Sequence, residues 1–482
     1  MMIPDLSPEA QARRAELPSP NSTHSYWHRD PSKKLWNHRT TEDLPETADV
    51  LVIGSGISGA FAARELVAGG RSVTMLEARE ACWGATGRNG GHCQPLVWAS
   101  TAEVARFELA TFELVKSLIG ENSIPCDWHV VGGLHAIYTQ DVLDAARAQM
   151  KRLQNYPDLR DKAVLIEDRE TLIANRIPAA IGAILQPNAA KLWPYKLVAW
   201  LLEALLAGNA APRFNLQTNT PVARLERDGS RKCWIAHTPR GAIAASDVLV
   251  CTNGYTSYLL PGLTDVIVPV RGQVCALEPP GDAGQLGHSY VWTSDASDQY
   301  LVHRSLEDTQ VPGAGKKDRS LILGGERFAD PAGEEGISRD DAINPAISQA
   351  LHSALKATIK LRPGEEPEEE RLKAEFEWTG IMGYSRDDKP WVGRVPLLFL
   401  GDDDLGEAGE VGGLWISAGF TGHGMPVAPR CGVAVAEMIL GKGEDEVKVP
   451  EGWMASEGRA ARARGMEFPR TLVEVLRSLP SE

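Results

Sequence analysis

Gly54, Gly56 and Gly59 are spaced as GxGxxG, and Glu77 follows the first of them by 23 residues. Each residue has a mechanical role in seating a dinucleotide. Gly54 makes a tight turn, Gly56 lets the backbone approach a pyrophosphate, and Gly59 lets a helix pack closely on a strand. Ser55, Ile57 and Ser58 open that helix, whose first N–H groups and partial positive charge face the phosphates. Glu77, followed by Ala78 and Arg79, is placed to accept hydrogen bonds from a ribose. The pattern alone is also that of a glycine-rich turn in any α/β protein, and it does not choose between dinucleotides.

Three further stretches carry chemical residue types. GATGRNGGHCQP, Gly84–Pro95, packs four glycines with Thr86, Arg88 and Asn89 into eight residues, Gly84 to Gly91, and His92 follows. Gly87, Gly90 and Gly91 suit a loop that presses its backbone on a flat ligand while its side chains donate. AGFTGHGMP, Ala418–Pro426, reads as a strand end, a turn (Gly419, Thr421, Gly422, His423, Gly424) and a helix N-terminus near Met425 that would stabilise negative charge. His423 is a candidate for proton transfer, as Arg88 and His92 are for catalysis, although a lone histidine is more often structural. EWTGIMGYSRDDKPWVG, Glu377–Gly393, includes Gly380 and an Asp387-Asp388 turn, with Asp388 read as a surface partner of Arg386 or Lys389. Arg271, Arg304 and Arg327 are candidates for gripping a substrate carboxylate.

The elements that must hold these residues follow from apolar spacing. Val50–Ile53 reads as a strand, the helix runs to about Ala68, and Ser72–Leu76 is a second strand. DVLVCTNG, Asp247–Gly254, is a continuous apolar strand feeding a crevice at Asn253 and Gly254, as parallel strands do. From Thr101 to Ile173 the spacing is mostly helical, broken by a strand-like Gly132–Thr139; Tyr195–Leu206 is helical and Val222–Arg227 and Cys233–Thr238 are strands. We therefore expect an α/β chain: a Rossmann-like nucleotide-binding domain (47–95, 176–265 and 377–445) and a second α+β substrate domain on a mixed or antiparallel sheet (96–175 and 266–376). An extension, 1–46, packs on the body through Tyr26, Trp27 and Trp36, and 446–482 is a tail.

The 482 residues are 43% hydrophobic with a formal charge of −14. An acidic balance disfavours a nucleic-acid surface. The acidic runs Glu365–Glu370 and Gly401–Glu410 read as solvated loops. Seven scattered cysteines without CxxC or CxxH spacing read as packed reduced thiols, with no metal site. The polar start and the lack of a long apolar span imply a soluble, cytoplasmic protein with no membrane partner.

Taken together, these stretches resemble the D-amino-acid-oxidase-like family of FAD-dependent oxidoreductases of glycine and sarcosine oxidase type, most of all its gamma-glutamylputrescine oxidase branch. Carrying the resemblance are Ser25-Tyr26-Trp27, the Gly84–Gly91 loop with Thr86 in place of serine, Ile124–Asp127, Gly132–Leu134, Trp378–Gly380 and Gly419–Gly424. It implies a bound FAD, with Val222 near the adenine and the Gly84–His92 and Gly419–Met425 stretches around the ring. It implies hydride transfer from a neutral amine or amino acid to flavin N5, hydrolysis of the imine, and reoxidation by dioxygen or another acceptor. A dehydrogenase with a different acceptor and a flavin-binding protein without turnover are the alternatives. The flavin-linking cysteine of sarcosine oxidases has no counterpart in Ile381–Gly383, so non-covalent FAD is expected. Ala189–Pro194 departs from the branch where its substrate would approach.

Overall fold

The structure is a computed structural model that describes residues 7–207, 213–281, 283–293, 299–304, 318–356, 358–362, 371–400, 411–443, 446–468 and 474–476. The acidic runs Glu365–Glu370 and Gly401–Glu410 lie outside the described residues.

Four consecutive apolar residues, Val50 to Ile53, end the strand Thr47–Ile53 and are buried. Such a run suits a parallel strand covered on both faces. It pairs in parallel with Val73–Leu76 on one side and with Gly241–Val250 on the other, and Phe214–Gln217 extends the sheet beyond Val73–Leu76. The far edge of Gly241–Val250 is divided. Its first half pairs antiparallel with Cys233–Thr238, which pairs with Arg224–Asp228, whereas Val248–Val250 pair in parallel with the start of Leu414–Ala418. Trp391–Arg394 then flanks Leu414–Ala418 in antiparallel register. Helices Ile57–Ala68 and Ala428–Ile439 cross so closely that a Cβ on Gly432 would lie 2.2 Å from the Ser58 carbonyl oxygen. That crossing brings the starts of both helices to the same end of the sheet.

A second sheet runs in the order Ala374–Ser385, Ile267–Leu277, Leu321–Gly324, Tyr300–His303, Ser289–Thr293, Gly133–Ile137, Gly182–Gln186, Val164–Ile166. All its pairs are antiparallel except Ser289–Thr293 with Gly133–Ile137. A three-stranded patch, His92–Cys93, Ala190–Lys191 and His129–Val130, lies between the sheets in sequence. The protein is thus an α/β fold with a Rossmann-like sheet and a second, mixed one.

Three sequence assignments change. Gly182–Gln186 and Ala374–Ser385 belong to the second sheet, although the segments 176–265 and 377–445 were expected in the nucleotide unit. Apolar strands look alike in either sheet, so spacing alone does not show where the chain crosses over. Trp36 is 49% exposed, its ring set edge-on to Trp83 at 5.5 Å, while Tyr26 and Trp27 are buried. The 446–468 stretch is packed: Trp453 is buried and Arg459 binds Asp387 at 2.7 Å. The described cysteines are free thiols, all but Cys233 buried.

Candidate active site

Gly54 has φ +106°, and a Cβ there would lie 2.7 Å from the Cys251 carbonyl oxygen. A Cβ on Gly59 would lie 2.1 Å from the Gly54 carbonyl oxygen. Neither position has room for a side chain, so the turn and the helix start press together as the spacing predicts. Gly56 caps the helix without a side-chain bond, and no acid occupies the first turn. Ile57 N–H donates to Thr86 Oγ1 at 3.1 Å, which ties the first helix to the Gly84–His92 loop. Glu77 has a second role that the motif does not reveal. Its Oε2 accepts from Ser55 N and Ser55 Oγ at 3.0 and 2.7 Å, and its Oε1 accepts from Arg79 N at 2.9 Å. An ionised carboxylate offers about four acceptor positions, so Glu77 braces the turn while facing the cavity.

The N-terminal segment holds the loop from behind. Ser25 Oγ donates to the Gly87 carbonyl at 2.8 Å, Trp27 Nε1 donates to the Asn89 carbonyl, and Trp378 Nε1 donates to the Arg88 carbonyl at 2.7 Å. Arg88, expected as a catalytic donor, spends its guanidinium elsewhere. It donates to the carbonyls of Trp83, Thr23 and Thr379 at 2.8 to 2.9 Å and to Ser22 Oγ, and it lies 3.3 Å from Asp340. Burial pushes it down to about 10, with the Asp340 charge opposing. Arg88 is a clamp between the extension and the second sheet; a single sequence cannot show those partners. Arg79 likewise pairs with Asp340, at 2.9 Å.

Three histidines meet across the loop and the turn. His92 Nε2 shares a 2.7 Å hydrogen bond with Ser289 Oγ, and burial followed by the nearby His423 charge pushes its pKa down to about 3. Burial therefore favours the uncharged ring of His92 over its acid form. His135 is driven to about 3 by burial and by His92 and His423, and Trp98 Nε1 donates to its Nδ1 at 3.4 Å. His423 goes the other way. Burial lowers it, but the charge and hydrogen bond of Glu108, with Asp388 adding, hold it above its ordinary value. The Nε2–Oε2 distance to Glu108 is 3.0 Å. The His423 side chain is 37% accessible, and it lines the cavity.

A cavity of about 600 Å³ runs along the Gly54 turn, Glu77, Arg88, His92, His135 and His423. From the sequence-predicted set, Gly54, Gly56, Ile57, Ser58, Glu77, Ala78, Arg79, Thr86, Arg88, Asn89, Gly90, His92, Val222, Asn253, Gly380, Thr421, Gly422, His423, Gly424 and Met425 line it. Ser55, Gly59, Gly87, Gly91, Gly254 and Gly419 stand behind the wall as packing positions: a Cβ on Gly91 would meet Trp27 at 2.5 Å, and one on Gly254 the Met382 carbonyl oxygen at 2.7 Å. The Gly419 N–H donates to Asn253 Oδ1 at 3.0 Å, joining two turns predicted separately. Helix Ala428–Ile439 starts three residues beyond Met425, again without a side-chain cap.

Three expectations about the substrate side are corrected. Arg271 is paired with Glu334 and Arg304 with Asp127 at 2.7 Å, which leaves Arg327 as the candidate arginine that reaches the cavity. Asp388 pairs with neither neighbour, because Arg386 binds Asp265 at 2.6 Å and Lys389 Nζ lies beside Gly452. It lines the cavity instead. Ala189–Pro194 does not line it; the Ala190–Lys191 strand backs His92 and His129, and Lys191 Nζ donates to the His303 carbonyl at 2.9 Å. Spacing missed Leu17, Pro18, Trp98, His135, Gln273, Tyr300 and Phe328, all in the wall, and Glu108 behind it. Glu108 carried one signal: an acid on the apolar face of helix Ala102–Asn122, 2% exposed.

The chemistry fits FAD. Two uncapped helix starts, glycines with no room for a Cβ and a brace on Glu77 form one end, and the Gly84–His92 loop and Gly422–Met425 turn open on the same space. Among the described residues no group of three or more His, Cys, Asp or Glu side chains is arranged to hold a metal, and no helix is long and apolar enough to cross a membrane.

The family described as FAD dependent oxidoreductase (DAO) matches residues 49–438. The chain is 24% identical over 401 residues to glycine oxidase of Pseudomonas aeruginosa, covering 82% of this chain and 95% of that protein. It is 22% identical over 422 residues to gamma-glutamylputrescine oxidoreductase of Escherichia coli, covering 83% and 85%. The crystal structure of glycine oxidase from Geobacillus kaustophilus superposes with a TM-score of 0.67 at 18% identity, over 86% of this chain and 99% of that one.

Proposed function

The chain belongs to the FAD dependent oxidoreductase (DAO) family, and on that premise we propose that it oxidises a C–N bond of an amine or amino acid with dioxygen as final acceptor. The observation that carries this reading is the single cavity shared by the Gly54–Glu77 cradle, the Gly84–His92 loop and the Gly422–Met425 turn, walled on its remaining sides by Trp98, Trp292, Tyr300 and Phe328. FAD held non-covalently by the Gly54–Glu77 cradle, the Gly84–His92 loop and the Gly422–Met425 turn would supply the oxidant, a two-electron acceptor for the hydride of the carbon bearing nitrogen that dioxygen would reoxidise. The imine then hydrolyses, so amine, dioxygen and water become carbonyl compound, released amine or ammonia, and hydrogen peroxide. The relatives named above carry names of enzymes acting on amino compounds, which supports the substrate class.

The chain's own residues have three tasks. The aromatic wall excludes water and disfavours an ammonium ion, so that the nitrogen reacts with its lone pair free. His423, whose protonated form Glu108 favours, and the uncapped start of helix Ala428–Ile439 place positive potential at one side of the cavity, where it would favour negative charge on a bound ring. His92, held neutral and bonded to Ser289, orients the Gly84–His92 loop without moving a proton.

The test is anaerobic mixing of the purified yellow protein with a panel of amines and amino acids. Bleaching of the flavin band, then peroxide release on admitting air, is the expected result. A protein that refuses FAD, or whose flavin no amine reduces, overturns the reading; bleaching without peroxide replaces dioxygen with another acceptor. Acid precipitation should leave a white pellet.

A further inference from the structure

Asp388 sits in the turn that follows strand Ala374–Ser385, with left-handed backbone at φ +57°. The charged groups beside it are engaged elsewhere. Asp387 binds Arg459 Nε and Nη2 at 2.7 and 3.0 Å and accepts from Ser385 Oγ at 2.6 Å. Arg386 binds Asp265, Lys389 Nζ lies beside Gly452, and His423 binds Glu108. The Asp388 N–H donates to the Ser385 carbonyl at 3.0 Å, but its carboxylate has no hydrogen bond or ion pair among the described residues, and the residue lines the cavity. The surrounding protein, opposed by His423 and assisted by Asp387, pushes the carboxyl of the solvent-exposed Asp388 up to about 6, and the nearby His423 is already bound to Glu108.

A carboxylate held this way favours a positively charged partner. That partner is not the nitrogen being oxidised, because a carboxylate would hold its proton in place. The strand passes both ring-facing segments before it reaches Asp388: Gly380, whose Cβ would lie 2.9 Å from Arg88 Cβ, adjoins the Gly84–His92 loop, and the Ser385 N–H donates to Thr421 Oγ1 at 3.1 Å, three residues ahead of Asp388.

We propose that Asp388 is a subsite for a second, non-reacting cationic group of the substrate, so that the protein prefers amines carrying a distal ammonium or guanidinium group. This deepens the amine-oxidation reading and rests on it. Tyr384 lines the wall between, its hydroxyl 3.0 Å from where a Cβ on Gly422 would lie, and offers an apolar path for the connecting methylenes.

The experiment compares full-length FAD-loaded wild type with Asp388→Asn, which tolerates a left-handed backbone. Each is given straight-chain monoamines and α,ω-diamines of equal length. Wild type should favour the diamine at least tenfold in kcat/KM, mostly through KM, and the ratio should fall at least tenfold in the variant. Equal selectivity in the two proteins overturns the proposal. A second readout needs no turnover: titration of the bound flavin's absorbance with a diamine at pH 7.5 and pH 5. Wild-type affinity should drop about tenfold at the lower pH as Asp388 takes a proton, and the variant should lose that dependence; an unchanged dependence overturns the assignment. If FAD binds but no amine reduces it, the oxidation reading fails while this titration still decides the role of Asp388.

Discussion

His423 donates from Nε2 to Glu108 Oε2 at 3.0 Å, and the same oxygen accepts the Leu96 N–H at 2.6 Å. One buried carboxylate thus fastens the turn after Leu414–Ala418, the end of the Gly84–Pro95 stretch and helix Ala102–Asn122 together. It also sets the charge of His423. An imidazole whose folded pKa is raised gains stability that is complete below its ordinary value and disappears as pH rises through the raised value. Glu108→Gln should therefore move the loss of the imidazolium down by about one pH unit or more. The pH dependence of the bound flavin's absorbance measures it, and a profile identical to wild type would refute the coupling. Unfolding should cost about 1–3 kcal/mol less in the variant.

The N-terminal segment is predicted to govern cofactor affinity. Trp27 gives its indole N–H to the Asn89 carbonyl, and Trp193 gives its own to the Trp27 carbonyl at 2.8 Å. Trp27→Phe keeps most of the packing and removes one donor, leaving the carbonyl of the half-buried Asn89 without that partner. A loss of about 1–2 kcal/mol should weaken FAD binding roughly tenfold, read by fluorescence titration of the apoprotein. A change in melting temperature alone, with FAD affinity intact, would separate the segment from the site.

Two glycines test the cradle against an internal control. Gly59→Ala places a Cβ 2.1 Å from the Gly54 carbonyl oxygen, whereas Gly84→Ala meets nothing within 4 Å. Overpacking at a backbone contact costs about 1–3 kcal/mol or more. Gly59→Ala should yield protein that melts several degrees lower and binds FAD poorly, and Gly84→Ala should match wild type in both. Equal behaviour of the two would mean that the helix and strand do not press together as described.

What spacing could reveal divides along a physical line. Gly54, Gly59 and the Val50–Ile53 run are local: turn geometry and burial act within a few residues, so their pattern was legible, as were the Gly84–His92 loop and the Gly419–Met425 turn. The Arg88–Thr379 and Glu108–His423 contacts join residues hundreds of positions apart, and the brace on Glu77 comes from side-chain geometry that spacing does not show. Asp388 shows the limit best. Beside Arg386 and Lys389 it reads as a surface pair, but Arg386 turns to Asp265 and leaves it facing the cavity. The strands Gly182–Gln186 and Ala374–Ser385 joined the second sheet for the same reason, since alternation specifies a strand and not its neighbours.

Acid should expose the buried histidines. His28, His92 and His135 are all held neutral by burial first, His92 and His135 at about 3 and His28 well below its ordinary value. A depressed folded pKa contributes stability present above the unfolded value of about 6.5 and lost as pH falls towards the folded value. Asp388 works in the opposite sense: raised to about 6, it takes up a proton in the folded chain that the unfolded chain does not hold at pH 5. His423, protonated in both states at that pH, drops out. The unfolded chain then binds roughly two more protons than the folded one over these groups, about 3 kcal/mol of stability lost per pH unit near pH 5. Urea unfolding of the apoprotein between pH 7 and pH 5 measures that slope. His135→Asn should lower it by about 1.4 kcal/mol per unit, and Asp388→Asn should raise it by less, because Asp388 is exposed to solvent. A slope that neither substitution moves would show that these groups are solvated in the folded chain.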